Sequence, residues 1–266
     1  MLRRRIALVT VLALGLTGAC SPAPDTTGPL PDGTRLVQES AEFVEQLRSV
    51  RFAFGTSGTI PGLNIREVTG HAVVDGSRFG WARGEADLQH VTEREQVEFL
   101  LRGESVRLTD EQGDVTERPV PAPYYPAAFL DADHGLADLM RRTTGLETEG
   151  KEDIEEVSTF RINGSVPAEV VSVLVPGIRS DVNVKFWVDR QQPHALVRLW
   201  MQIPPQQPKE GAVMLELALS EHNAPVSGAP RADARSGPGR SARPDSTAGV
   251  GQEQRVSPAG SAPSTR

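Results

Sequence analysis

"RFGWARGEADLQH" occupies residues 78–90, and its alternation decides how the chain folds. One set of alternate positions holds Gly80, Ala82, Gly84, Ala86 and Leu88. The other holds Phe79, Trp81, Arg83, Glu85, Asp87 and Gln89. A period of two is that of a strand, whose successive side chains point to opposite faces. Polar residues face water, so the small residues face inward. The stretch before it adds Gly70 and Ala72 beside Val68 and Val74. Protein interiors are filled to crystal-like density, so a row of absent side chains needs a reason. Either a helix packs closely on this face, or the face is cleared for an apolar ligand.

Other segments repeat the period. "VNVKFWVD" sets Val182, Val184, Phe186 and Val188 against Asn183, Lys185, Trp187 and Asp189. "ALVRLWMQI" sets Ala195, Val197, Leu199, Met201 and Ile203 against Leu196, Arg198, Trp200 and Gln202. "AVMLELALS" aligns Val213, Leu215, Leu217 and Leu219, and "EQVEFLLRG" aligns Val97, Phe99 and Leu101. One apolar and one wetter face mark an antiparallel sheet. A short turn at Gln191–Pro193 joins two of these strands as a hairpin.

Helical spacing occurs in three places. "TRLVQESAEFVEQLRSV" carries Leu36, Phe43, Leu47 and Val50, widened by Val37, Ala41 and Val44. "DHGLADLMRRT" puts Leu136, Leu139 and Met140 on one side, and "VPAEVVSVLVPG" runs from Pro167 to the Pro176-Gly177 stop. Many strands with few helices predict an α+β fold: a long curved antiparallel sheet with helices on one face.

The ends read differently. Arg3, Arg4 and Arg5 precede an uncharged apolar run, Ile6–Leu16, and then Thr17, Gly18 and Ala19. This is a signal peptide over residues 1–19, too short to span a bilayer. "LTGAC" resembles the bacterial lipobox, which predicts a diacylglyceryl thioether on Cys20, the lone cysteine of the chain. Residues 20–33 are expected as an extended, flexible tether. Residues 34–222 are expected as one folded domain. Residues 223–266, rich in Ser, Gly, Pro, Ala and Arg, are expected as a disordered tail.

The chain carries −7 overall. Without Arg3–Arg5 it carries −10, and residues 223–266 carry +3, so the body between them carries −13. An acidic body argues against a nucleic-acid binder. There is no G-x-S-x-G elbow, P-loop or dinucleotide fingerprint. Asp131, Asp133 and His134 in "DADHG" read as the cap of the next helix, and "NGS" at 163–165 as a strand-end turn. One Cys and five scattered His offer no structural zinc site. No metal, cofactor or catalytic constellation is expected.

The order and spacing of further stretches carry a resemblance. They are "GPLPDGTRLVQESAE", "SGTIPGLNIREVTGHA", "DADHGLADLM", "EGKEDIEEVSTFRINGSVPAEVV" and "VMLELALSEHNAPV", which together cover about residues 28–226. With the lipobox, they make the chain similar to the LppX/LprG/LprA/LprF (LppX_LprAFG) lipoproteins of mycobacteria and related actinobacteria. The resemblance implies a curved antiparallel half-barrel, with helices packed on its concave face, that encloses a hydrophobic cavity as in Lol-type carriers. It implies a non-enzymatic lipoprotein on the outer face of the cell membrane that binds acylated lipid or glycolipid and moves it across the envelope. A membrane transporter is a possible partner. Residues expected to line the cavity are Val68, Ala72, Gly80, Ala82, Gly84, Ala86 and Phe99 from the first strands. From the helix and later strands come Leu136, Met140, Phe186, Val188, Leu199 and Met201. Two other classes stay open: a regulatory module that senses lipid or mislocalised lipoprotein, and an anchored hydrolase.

Overall fold

The computed structural model describes residues 23–90, 93–205 and 211–227. Cys20, the signal segment and residues 228–266 lie outside them. Eleven antiparallel strands form one open sheet in the order β6-β5-β4-β3-β2-β1-β11-β10-β9-β8-β7. The strands are β1 (Ser49–Thr56), β2 (Ile65–Val73), β3 (Trp81–His90), β4 (Glu93–Arg102), β5 (Ser105–Asp110) and β6 (Val115–Pro119), then β7 (Thr144–Ile154), β8 (Val157–Val166), β9 (Val182–Asp189), β10 (Leu196–Ile203) and β11 (Val213–Ser220). Consecutive strands pair, β8 with β9 across the segment that holds α4, except β6 and β7, which form the two edges; one long-range pairing, β1 with β11, joins the two halves.

The helices are α1 (Gly33–Glu45), α2 (Pro126–Phe129), α3 (Leu136–Arg141) and α4 (Ala168–Leu174). Asp32 caps α1 by accepting a 2.8 Å hydrogen bond from Arg35 N, which satisfies one of the free donors of the first turn. α1 buries Leu36, Val37, Ser40, Ala41 and Val44. It lies on α3 and against β7, β9 and β10, while α2 touches β2 and β3. The layer is therefore α+β, with the helices on the apolar face of the sheet.

Three sequence readings change. Val50 is the second residue of β1 and pairs with Ala72, so it does not extend the α1 stripe. In β10 the register shifts between Leu196 and Arg198. Leu196 takes the apolar face, fully buried, while Val197 is only half-buried. A bulge adds one residue to one strand, so strict alternation fails across it. Asn163–Ser165 lies inside β8, with Asn163 opposite Lys185, and is not a turn.

The polar face is less wet than its alternation suggests. Trp81 and Trp187 occupy it yet are buried, at 6% and 4% exposure. Trp187 Nε1 donates to Glu152 Oε2 at 2.9 Å, and its ring meets Trp200 edge-on at 5.7 Å. Arg161 bridges Glu149 and Glu152, and Lys185 donates to Glu149 at 2.7 Å. Burial alone would push the Glu149 carboxyl up. The hydrogen bonds from Lys185 and Asn163, with the charges of Lys185 and Arg161, outweigh it and hold the group below the usual carboxylate range.

Folded contacts reach beyond both expected domain boundaries. Asp25 pairs with Lys151 of β7. At the other end Asn223 N donates to Ser49 O at 2.8 Å, and Ser49 Oγ donates to Ala224 O at 2.7 Å.

Candidate functional site

Register places the small residues of β2 opposite the small residues of β3. Ala72 faces Ala82, Gly70 faces Gly84, and Val68 faces Ala86. Cross-strand partners share a face, so the apolar face carries three rows. One runs Leu219, Phe52, Gly70, Gly84, Phe99, Leu108; a second runs Leu217, Phe54, Val68, Ala86, Val97; a third runs Val50, Ala72, Ala82, Leu101, Val106. Strands lie about 4.8 Å apart, so β1 and β4 stand roughly 14 Å from one another across this strip. The result is a shallow trough floored by Gly and Ala. Phe52 and Phe54 flank it on one side, and Phe99 with Val97 and Leu101 on the other.

The trough is apolar and incompletely roofed. Phe52, Phe54, Val68 and Phe99 are half-buried. Ala86, Val97 and Leu108 form a separate apolar cluster, apart from the main core. Among the described residues, no helix packs on β4 or β5 as α1 packs on β7, β9 and β10.

The expected lining residues divide into two groups. Val68, Ala72, Ala82, Gly84, Ala86 and Phe99 meet along the trough. Leu136, Met140, Phe186, Val188 and Leu199 have no exposed surface, and Met201 has 4%. These six belong to the main core with the buried residues of α1, α3 and α4, and so do Ala72 and Ala82 at the covered side of the trough. Gly80 joins neither group. It sits in the turn before β3 at φ +67°, a conformation that favours glycine, with Pro126 of α2 beside it.

The reason for Gly84 also changes. A Cβ on Gly84 would strike Thr69 O of the next strand and lie 2.6 Å from Gly70 Cα. A Cβ on Gly70 would strike Arg83 O in return. The glycine pair is there because two backbones approach closely, which is one of the uses of glycine inside a strand. The empty floor is a consequence of that approach. Phe52 and Phe54 escaped the sequence reading, although "VRFAFG" alternates as the other strands do.

Three clefts, of about 610, 580 and 490 Å³, open on the opposite, polar face. Glu67, Glu85 and Glu98 line the first, Asn163 and Lys185 the second, and Trp200 with Glu216 the third. Ala86 and Val97 also line the first, and Trp200 and Met214 both the second and the third, so each cleft mixes charged and apolar walls. Asp131 Oδ1 accepts from Asp133 N (2.9 Å) and His134 N (3.0 Å), a turn leading into α3. No group of three or more His, Cys, Asp or Glu among the described residues could hold a metal ion. No described helix is long and apolar enough to cross a membrane.

The LppX_LprAFG lipoprotein model matches residues 32–227. The chain belongs to this family. It is 26% identical over 201 residues to the lipoarabinomannan carrier protein LprG of Mycobacterium tuberculosis, which covers 73% of this chain and 84% of that one. It is 28% identical over 235 residues to a phthiocerol dimycocerosate transporter, LppX, of Mycobacterium bovis, covering 83% of this chain and 93% of that one. Among solved structures, LprF of M. bovis superposes with a TM-score of 0.63 at 22% identity, covering 76% of this chain and 97% of that one. LppX of M. tuberculosis superposes with a TM-score of 0.57 at 23% identity, covering 73% and 96%. These two share the fold of this family member.

Proposed function

We propose that the protein is a membrane-anchored, non-enzymatic carrier. It holds the acyl chains of a lipid or glycolipid on the apolar face of its sheet and carries them across the cell envelope. The observation that supports this best is the Gly/Ala floor between Phe52, Phe54 and Phe99, incompletely roofed by helices. Each methylene moved from water into such a site contributes about 0.8 kcal/mol. Head groups stay at the rim, because an unpaired polar or charged group is costly to bury. The relatives named as carriers of lipoarabinomannan and phthiocerol dimycocerosate fit a cargo of large acylated lipids.

Cys20 carries the anchor in this reading, at the outer face of the cell membrane. A Cys20→Ser variant is expected to leave the membrane fraction and appear as soluble protein. If it stays membrane-bound in high salt, the anchor is not at Cys20. Native mass spectrometry of the released protein is expected to show a bound lipid lost on denaturation. Stoichiometric capture of a membrane protein with no lipid adduct would favour a sensor in its place.

A further inference from the structure

Residues 24–31 are strapped to the sheet edge. Asp25 N donates to Lys151 O and Lys151 N donates to Asp25 O, both at 2.8 Å. Lys151 Nζ donates to Thr27 O, and Thr148 Oγ1 donates to Pro31 O, again at 2.8 Å. Pro24 lies against Gly150, where a Cβ would come within 3.1 Å of its own Cβ. The strap runs antiparallel to β7, with Asp25 at Lys151 and Pro31 near Thr148. From Asp25 back to Ala23 its antiparallel course points to the β7–β8 turn at Glu155 and Glu156.

Only four residues, Ser21 to Pro24, separate Cys20 from Asp25, which makes five Cα-to-Cα steps. Fully extended, they span at most roughly 17 Å. β7 and β8 hold 11 and 10 residues, so the two ends of the sheet lie about 30 Å or more apart. The leash therefore cannot let the domain tumble freely. We propose that the end of the sheet carrying the β7–β8 turn rests against the lipid bilayer, and that the end carrying the β5–β6 turn points away from it. This rests on the acylated-Cys20 reading above. Glu155 and Glu156 are exposed, and carboxylates are not drawn to an anionic leaflet. The leash, not attraction, imposes the contact.

Acylated full-length protein in phosphatidylcholine vesicles containing a nitroxide-headgroup lipid tests this. Acylation blocks the sulfur of Cys20, so Glu156→Cys or Gln112→Cys gives a single thiol for a fluorophore. Quenching at position 156 is expected to exceed that at 112 by several-fold. Twenty Gly/Ser residues inserted between Pro22 and Ala23 are expected to erase the difference. Equal quenching, or stronger quenching at 112, in protein that sediments with the vesicles overturns the orientation. Failure to sediment overturns the anchor reading and the orientation with it, and fractionation alone shows which has failed.

Discussion

Gly84 shows how a residue can be read correctly for position and wrongly for cause. Its alternation with Arg83 and Glu85 places it on the apolar face. The sequence cannot show where its Cβ would point, because that depends on how tightly β2 and β3 approach. Gly84→Ala is expected to destabilise the fold by about 1–3 kcal/mol, since Thr69 O and Gly70 Cα leave no room. Thermal unfolding reads this directly, and an unchanged melting temperature would contradict the close approach. His222 gives a second residue-scale prediction. Burial pushes its pKa down; the hydrogen bond to Leu196 O, at 3.1 Å, and the charge of Asp189 oppose this only in part. The unfolded chain then binds the proton more readily, so this contribution is present above the ordinary histidine value near 6.5 and is lost as pH falls below it. His222→Gln is expected to flatten the decline of melting temperature between pH 7 and pH 5.5.

Among the elements, strands with clean alternation were legible. β4, β9 and β11 present the faces that their sequences predict. β10 departs where its bulge lets Leu196 replace Val197, an event set by pairing geometry that one strand's sequence does not contain. The buried Trp81 and Trp187 were misread because alternation separates faces without saying what covers each one. α1 was legible in its stripe but not in its cap, since Asp32 falls in the stretch expected as tether. The helix packs on β7, β9 and β10, so its start fixes one margin of the roof over the sheet. Asp32→Ala removes the bond to Arg35 N and is expected to cost about 1 kcal/mol, with Asp32→Asn costing less. Chemical unfolding would show this as a lowered midpoint with an unchanged slope.

At the scale of the molecule, the α+β class and the one-sided helical layer followed from patterning. The joining of β1 to β11 followed from neither, since it links residues more than 150 positions apart. The site was half legible. The small residues of β2 and β3 were visible one strand at a time, but only register shows Gly facing Gly and Ala facing Ala. Residues from α3, β9 and β10 are as apolar as those of the trough, and sequence alone could not separate packed core from partly open face. The central claim is that acyl chains lie between Phe52, Phe54 and Phe99. Photo-crosslinking of the Cys20→Ser protein with a fatty acid bearing a mid-chain diazirine, followed by mapping of the labelled peptides, tests it most directly. The account predicts saturable labelling on β1, β2 and β4, at or beside Phe52, Phe54, Val68 and Phe99. Labelling confined to the polar face, or none that an unlabelled lipid can compete away, would contradict it.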